Sequence, residues 1–362
     1  MNRMKQRYEF LDMLRGVALL GIIGVNACDI TRVGDDHVAS SHYMDGRMFL
    51  DFGVQCRFVP IFAILFGATM WFIADGARRR GRAGWSALLL RMVALGAIGV
   101  LHSLLYSGDI LRESAIVGAV LVPCAVWLSP WISLVVGAVL TGVSFGFVGG
   151  GLDSLPGLML LGMGVAGVGA AAAVDRGSRW IWPALVVAIA ASSALAFRQY
   201  VSDPNTDPRF TIDGTRAGLA MAIAYTCVLA ALWQSRHVRA VLSAVFTPLG
   251  RMALTNYVTA SAVLLATTLV VDLRGAWSVW PAVLIGVAVI IVQSFASRLW
   301  LNHFVNGPLE WCVRAVTWRT IPPMRRDSGR GSHAVPTLEN AGPAASDTTP
   351  PTVIHATPTA AQ

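Results

Sequence analysis

The chain has 362 residues, of which 55% are hydrophobic and only 13% charged, and its formal net charge is +8 at pH 7. Soluble domains carry about 25% charged residues, so this composition excludes an ordinary soluble protein. A nucleic-acid-binding face is also excluded, because the arginines lie in short loops between apolar segments. We therefore predict an all-α, polytopic membrane protein whose main partner is the lipid bilayer.

Ten apolar segments follow one another along the chain, each long enough to cross a bilayer. They are residues 13–30, 50–74, 85–106, 110–128, 131–149, 156–174, 180–198, 216–234, 243–271 and 278–298. Arginine and lysine are concentrated in every second loop, for example at residues 78–82, and this bias marks the cytoplasmic side. The sequence thus predicts a bundle of about ten spans in the plasma membrane, with both termini cytoplasmic.

The C-terminal part of the chain changes character twice. Residues 299–320 contain Trp300, Trp311 and Trp318 and are predicted to form an amphipathic helix at the membrane interface. The remaining residues are rich in Pro, Ser, Thr, Ala and Gly and poor in large apolar side chains. We therefore predict an integral membrane domain over 1–320 and a disordered cytoplasmic tail over 321–362.

Ionisable residues within the apolar segments on the outer side are the first candidates for chemistry. His102 and Asp109 are seven residues apart, which is two helical turns, and a carboxylate orients a histidine for proton transfer. Arg57 is predicted two turns inside the second span, where it needs Asp51, Asp109 or a ligand anion as partner. Simpler interpretations stay open, since His102 can be a core histidine and Asp109 a helix N-cap. The five cysteines show no metal-binding spacing, so no metal site is predicted.

A second set of polar residues is predicted on the inner side. Asp12 and Arg15 enter the first span, and Arg251 and Asn256 enter the ninth. Arginines here are able to bind an anionic donor from the cytoplasm, although Arg15 can also extend to the interface and Asn256 can link helices. In the interfacial segment, Glu310 and Arg314 have the i,i+4 spacing of a helical ion pair.

Five blocks of the sequence resemble the YeiB-like family, the domain of unknown function 418 membrane proteins. They are Leu11–Ile22 with Asn26, residues 62–67, Gly99–His102 with Gly108–Leu111, Leu249–Tyr257, and Gly307–Trp311 with Arg314 and Thr317. The opening block is also similar to that of the wider membrane acyltransferase group, which includes the acyltransferase-3 O-acetylases and heparan glucosaminide acetyltransferase.

The second resemblance implies a function and roles for the residues. The chain would move an acyl group from cytoplasmic acyl-CoA to an extracytoplasmic glycan, lipid or small molecule, with no tightly bound cofactor. His102 would be the base or acyl carrier, Asp109 its orienting partner and Arg57 the oxyanion partner. Asp12, Arg15, Asn26, Arg251 and Asn256 would bind donor or substrate.

Two points of the sequence stay open at this stage. The acyltransferase-3 histidine lies in the first span, where this chain has Asn26, and the following loop carries His37 and His42. The competing hypothesis is a proton-coupled transporter or exporter of a small molecule, in which His102 and Asp109 relay protons.

Overall fold

The computed structural model describes residues 8–37, 44–202 and 204–326. Within these ranges the chain forms helices joined by short loops, with two isolated β-bridges and no strand. The helices are α1 (Glu9–Ile30), α2 (Arg47–Gly53), α3 (Phe58–Arg78), α4 (Gly84–Ser103), α5 (Ile110–Val120), α6 (Val122–Trp127), α7 (Pro130–Val143), α8 (Leu155–Gly167), α9 (Ala170–Asp175), α10 (Ile181–Ser202), α11 (Ile212–Leu232), α12 (Arg236–Arg251), α13 (Ala253–Thr267), α14 (Trp280–His303) and α15 (Pro308–Trp318). The predicted all-α fold is confirmed.

Within the described ranges, seven helical stretches are long and apolar enough to cross a membrane. They are Glu9–Ile30, Arg47–Arg78, Gly84–Ser103, Pro130–Val148, Ile181–Ser202, Ile212–Leu232 and Trp280–His303. The count of ten is not confirmed, because the segments predicted at 110–128, 156–174 and 243–271 are each divided into two shorter helices. Gly169, with φ of +85°, separates α8 from α9, and α12 ends at Arg251, three residues after Pro248. A hydropathy pattern is insensitive to such breaks, since the residues on both sides stay apolar.

Helix α1 lies at the centre of the bundle and packs against α3, α12, α13 and α14. Its contact with α12 is backbone against backbone. A Cβ atom on Gly16 would lie 2.1 Å from the carbonyl oxygen of Phe246, and one on Gly250 would lie 1.7 Å from that of Asp12. Only glycine permits this approach, which is the usual way for membrane helices to gain van der Waals contact.

Loop contacts sort the molecule into two ends. At the Asp29 end, Asp29 pairs with Arg209, and the ring of His37 stacks on Trp277. At the Glu9 end, Glu9 pairs with Arg239, and other contacts join Trp233 to Asp175 and Arg80 to Trp318. These pairings follow the alternation of loops expected from the sequence. Which end faces the cytoplasm stays a prediction.

The predicted tail begins with a structured segment. Val305 donates a backbone hydrogen bond to Met324, Arg326 donates one to His303, and the indole of Trp311 donates to Pro322. Residues 321–326 are therefore held against the end of α14 and against α15. The rest of the predicted tail, and also His42, lie outside the described residues.

Candidate functional site

His102 and Asp109 form a buried hydrogen-bonded pair near the Asp29 end. His102 is in the last turn of α4, and Asp109 is the N-cap of α5, so the short loop between these helices brings the two side chains together. His102 Nδ1 lies 2.8 Å from Asp109 Oδ1, and the residues are only 1% and 5% exposed. The predicted pair is present, although the helix does not continue through it as the two-turn spacing assumed.

Tyr257 is a third member of this site. Its hydroxyl donates to Asp109 Oδ1 over 3.1 Å, and its ring centroid is 4.7 Å from that of His102. The tyrosine comes from α13, far along the chain, and sequence reasoning did not assign it a role. The only available signal was its position at the end of the Leu249–Tyr257 block, next to Asn256. We refer to His102, Asp109 and Tyr257 as the triad.

Asp109 accepts hydrogen bonds from three donors. Besides His102 and Tyr257, the backbone N–H of Arg112 donates to Oδ2 over 2.9 Å, as in an ordinary helix N-cap. Burial alone raises the pKa of Asp109, but the bond with His102 and the backbone N–H groups outweigh it and hold the pKa below its usual range. Asp109 is therefore an ionised acceptor, and the N-cap interpretation and the pairing with His102 are both correct.

The ionised state of Asp109 decides which nitrogen of His102 carries the proton. A carboxylate only accepts, so Nδ1 is the donor, and in the neutral ring Nε2 keeps its lone pair. His102 Nε2 is buried and has no hydrogen-bond partner among the described residues. An imidazole that is held through one nitrogen and unengaged at the other is arranged as a general base.

Gly99 allows α4 to approach the start of α5 at this site. A Cβ atom at position 99 would lie 2.6 Å from the backbone nitrogen of Arg112 and 2.8 Å from its Cα. Both are backbone atoms that cannot rotate away. The glycine one turn after Leu95 thus fixes the distance at which His102 meets the N-cap of α5.

Arg57 lies elsewhere, and the structure does not bring it to the triad. The helix is interrupted between Gly53 and Phe58, so Arg57, although inside the Arg47–Arg78 stretch, is the N-cap residue of α3. Its guanidinium is fully buried and donates to the backbone oxygen of Gln55 and, over 2.9 Å, to Gln199 Oε1. Neither predicted carboxylate partner binds it.

The two carboxylates predicted for Arg57 pair with other residues. Asp51 accepts from Arg47 over 3.0 Å, one turn earlier on α2, and Asp109 belongs to the triad. Arg57 therefore has only neutral acceptors in the described part of the chain. The predicted role as oxyanion partner of His102 has no contact that supports it.

A cavity of about 450 Å³ opens at the Asp29 end, next to the triad. Residues 105–108, the loop that leads directly to Asp109, form one wall. In this wall the hydroxyl of Tyr106 donates to Asp29 over 2.9 Å, and its backbone N–H donates to the carbonyl of His102. The cavity is thus separated from the buried pair by a single short loop.

The residues predicted on the inner side have mostly structural contacts. Arg15 donates to Asp12 over 3.0 Å and to Thr69 over 2.7 Å, which joins α1 to α3. Arg251 donates to the backbone oxygen of Val305 over 3.2 Å. Asn256 binds Ser297 across to α14, with a distance of 2.9 Å from Nδ2, so here the helix-linking interpretation describes the contact. Asn26, which the sequence places at the outer end of the first span, is buried on α1.

Glu310 caps another helix and does not pair with Arg314. Its Oε1 accepts from the backbone N–H groups of Leu254 and Thr255 over 2.7 and 3.0 Å, at the start of α13. Its Oε2 accepts from the hydroxyl of Thr255, which itself accepts from the N–H of Leu309 at the start of α15. The i,i+4 ion pair predicted from spacing is absent from the described ion pairs, because the N–H groups of Leu254 and Thr255 and the Thr255 hydroxyl bind the carboxylate instead.

The composition of the site is compatible with acid–base chemistry by side chains. Within the described ranges, no group of three or more His, Cys, Asp or Glu side chains is placed to hold a metal ion. All five cysteines are free thiols. The groups that remain for chemistry at the triad are an imidazole, a carboxylate and a phenol.

Comparison with known proteins identifies relatives whose names do not describe an activity. The chain is 28% identical to an "Uncharacterized 39.9 kDa protein in amylase 3'region" of Bacillus acidopullulyticus, over 86% of this chain and 94% of that protein. It is 25% identical to "Uncharacterized protein YxaH" of Bacillus subtilis, over 89% and 96% of the two chains. "Uncharacterized protein YeiB" of Escherichia coli is 32% identical over 32% of this chain and 30% of its own length.

The family comparison matches the C-terminal half of the membrane domain. Residues 170–320 match the family described as "Protein of unknown function (DUF418)". This range contains Tyr257, Asn256 and Glu310, whereas His102 and Asp109 precede it. Tyr257 therefore joins the matched region to the pair outside it. The predicted resemblance is confirmed for residues 170–320, which are similar to the DUF418 family.

Proposed function

We propose that this protein is an integral membrane acyltransferase that takes an acyl group from cytoplasmic acyl-CoA and transfers it to an extracytoplasmic hydroxyl or amine. One observation carries the proposal. His102 is held through Nδ1 by an ionised Asp109, while its buried Nε2 has no partner among the described residues. A histidine acts as a general base when a carboxylate orients one ring nitrogen and the other ring nitrogen is unengaged.

The chemical step assigns each triad residue a task. His102 Nε2 takes the proton of the acceptor hydroxyl or amine as this group attacks the thioester carbonyl. The carbon–sulfur bond then breaks, and the CoA sulfur leaves with the proton that the imidazolium returns. Asp109 stabilises the imidazolium, and Tyr257 keeps the carboxylate in place through its 3.1 Å hydrogen bond. Arg57 has no task in this step.

The donor side of the proposal rests on charge and position. Arg15 lies in the second turn of α1 and Arg251 is the last residue of α12, both towards the Glu9 end, and an arginine is suited to the phosphates of CoA. Helix α4 has 20 residues, about 30 Å of helix. With His102 in its last turn and the CoA phosphates at the Glu9 side, the pantetheine arm has to carry the thioester across most of that distance.

The first experiment measures donor use by the purified protein. Wild-type protein in detergent is incubated with acetyl-CoA and solubilised cell envelope as a source of acceptors, and free CoA thiol is measured. We expect His102→Gln and Asp109→Asn to reduce CoA release at least about 100-fold, since general base catalysis contributes roughly that much. His303→Gln, which changes an exposed histidine at the other end, is the matched control and should release CoA normally.

Donor binding gives a second, independent measurement. Acetyl-CoA at about 100 times its Kd should stabilise the folded protein by about 2.7 kcal/mol, and Arg15→Gln should reduce this gain. If no acyl-CoA stabilises the protein or releases thiol, the proposal is refuted. Proton-dependent uptake of a solute into liposomes without covalent change would instead support the transporter hypothesis, in which the same buried triad acts as a proton relay.

A further inference from the structure

We infer that the cavity at the Asp29 end binds the headgroup of a membrane phospholipid, with the lipid phosphate held by Arg32. This inference concerns binding alone and does not depend on acyl transfer. It rests on the level of the cavity in the bundle, on the division of its lining into a charged and an apolar side, and on the free donors of one arginine.

The cavity lies where the helices end. Ile30 is the last residue of α1, Leu105 follows α4 by two residues, and Leu265 is in the last turn of α13. Helix α1 is 22 residues long and apolar enough to cross a bilayer. The ends of such helices lie at the level of the lipid headgroups.

The apolar side of the lining continues to the surface of the bundle. Leu105 and Leu265 line the cavity and are themselves 37% and 38% exposed. Their neighbours Leu104 and Leu269 are 80% and 87% exposed, which in water would be a costly apolar patch. In a bilayer this side faces lipid, so a ligand with an acyl chain is able to enter from the membrane.

The charged side contains Asp29, Arg32 and Arg209, and each of the three has an ion-pair partner. Arg209 donates to Asp29 through Nη1 over 2.9 Å and to Asp207 through Nη2 over 2.8 Å. Asp29 also accepts from Tyr106. These two residues bind each other and have little charge to offer a ligand.

Arg32 is the lining cation that has donors to spare. Only its Nε is engaged, with Asp35 over 2.7 Å, and this pair is exposed, with 64% of the arginine side chain accessible. Its terminal nitrogens donate no hydrogen bond within the described part of the chain. The residue also has φ of +53°, a left-handed conformation that is costly for a residue with a Cβ atom.

These features together indicate a ligand with an anionic oxygen group and an apolar chain. A guanidinium with two free nitrogens matches the oxygens of a phosphate. A phosphate at Arg32 places the glycerol and the first chain carbons along Leu105 and Leu265. A soluble phosphate compound would use the arginine but would leave the apolar side without a partner.

The test is native mass spectrometry of the full-length protein in a maltoside detergent, without acyl-CoA. Three probes separate the parts of the ligand: dioleoylphosphatidylglycerol, dioleoylglycerol without phosphate, and glycerol 3-phosphate without chains. We expect saturable binding of the first probe only. Equal binding of dioleoylglycerol would refute the contact with phosphate, and equal binding of glycerol 3-phosphate would refute the membrane origin of the ligand.

Paired variants locate the site. Arg32→Gln should weaken phosphatidylglycerol binding about tenfold, whereas Arg274→Gln, at another exposed arginine paired with a local aspartate at the same end, should not. Leu265→Trp should fill the cavity, and Leu269→Trp adds the same bulk outside the lining. Equal effects within either pair would overturn the inference. Failure of CoA release would leave these results unchanged, so the two proposals fail separately.

Discussion

Replacing Asp109 with alanine removes three acceptor contacts at once, and the structure sets the size of the effect. Loss of the N-cap bond to Arg112 costs about 1 kcal/mol. The buried Nδ1 of His102 and hydroxyl of Tyr257 then lose their partner, at about 1–3 kcal/mol each. We expect Asp109→Ala to lower the free energy of unfolding by about 3 to 6 kcal/mol in total, allowing for coupling between neighbours.

Two further variants separate the contributions. Thr211→Ala removes only a cap, since the Thr211 hydroxyl accepts from the N–H of Gly214 at the start of α11, and should cost about 1 kcal/mol. Asp109→Asn keeps a capping oxygen and should be less harmful than Asp109→Ala. Stability is measured by titrating protein in mild detergent with SDS and following tryptophan fluorescence. If Asp109→Ala is no more destabilising than Thr211→Ala, the buried triad contributes nothing and the reasoning fails.

Three other predictions concern close packing, capping and pH. Gly99→Ala should destabilise the protein by about 1–3 kcal/mol in the same titration, because its Cβ meets backbone at 2.6 Å; Gly96→Ala, whose Cβ meets only a methyl group at 3.6 Å, should be neutral or stabilising. Glu310→Ala should lower the free energy of unfolding by about 2–4 kcal/mol, because α13 loses its cap. Arg314→Ala should change it by less than about 0.5 kcal/mol. Equal effects of the two variants would support the Glu310–Arg314 ion pair that the spacing predicted. Burial alone raises the pKa of Asp207, but hydrogen bonds from Arg209 and Gln55 hold this pKa below its usual value. Its contribution to stability is therefore complete above about pH 4 and is lost as pH falls through the lower folded-state pKa. Thermal melts between pH 6 and pH 3 should show a smaller loss for Asp207→Asn than for wild type, and parallel losses would contradict the assignment.

The sequence was most informative about residues whose chemistry conflicts with their surroundings. His102 and Asp109 stand out in an apolar run, and their pairing follows from seven residues of spacing and the cost of burying charge. The two side chains pair although α4 ends at Ser103, because the short loop after α4 brings Asp109 next to His102. Local separation was sufficient to predict this contact, since the chain between the two residues is short.

The sequence was least informative where several partners compete for one charge. Glu310 has an arginine at i,i+4, yet the start of α13 supplies two backbone N–H groups and a hydroxyl. Asp51 is six residues from Arg57, yet it pairs with Arg47, which is four residues away on α2. For Glu310, spacing along one helix cannot rank the competitors, because packing between distant segments brings them together. Arg47 and Asp51, in contrast, are an i,i+4 pair on one helix.

What the sequence determined by itself is the all-α membrane class, the sorting of loops into two ends and the identity of the buried pair. These follow from composition, from hydropathy over about 20 residues and from one short spacing, which are all local properties. Only the tertiary structure decided that Tyr257 completes the triad, that Arg57 lies apart from it and that a cavity adjoins its loop. Each of these depends on helices far apart in the chain, whose approach is set by the few positions, such as Gly16 and Gly250, where backbones are able to touch.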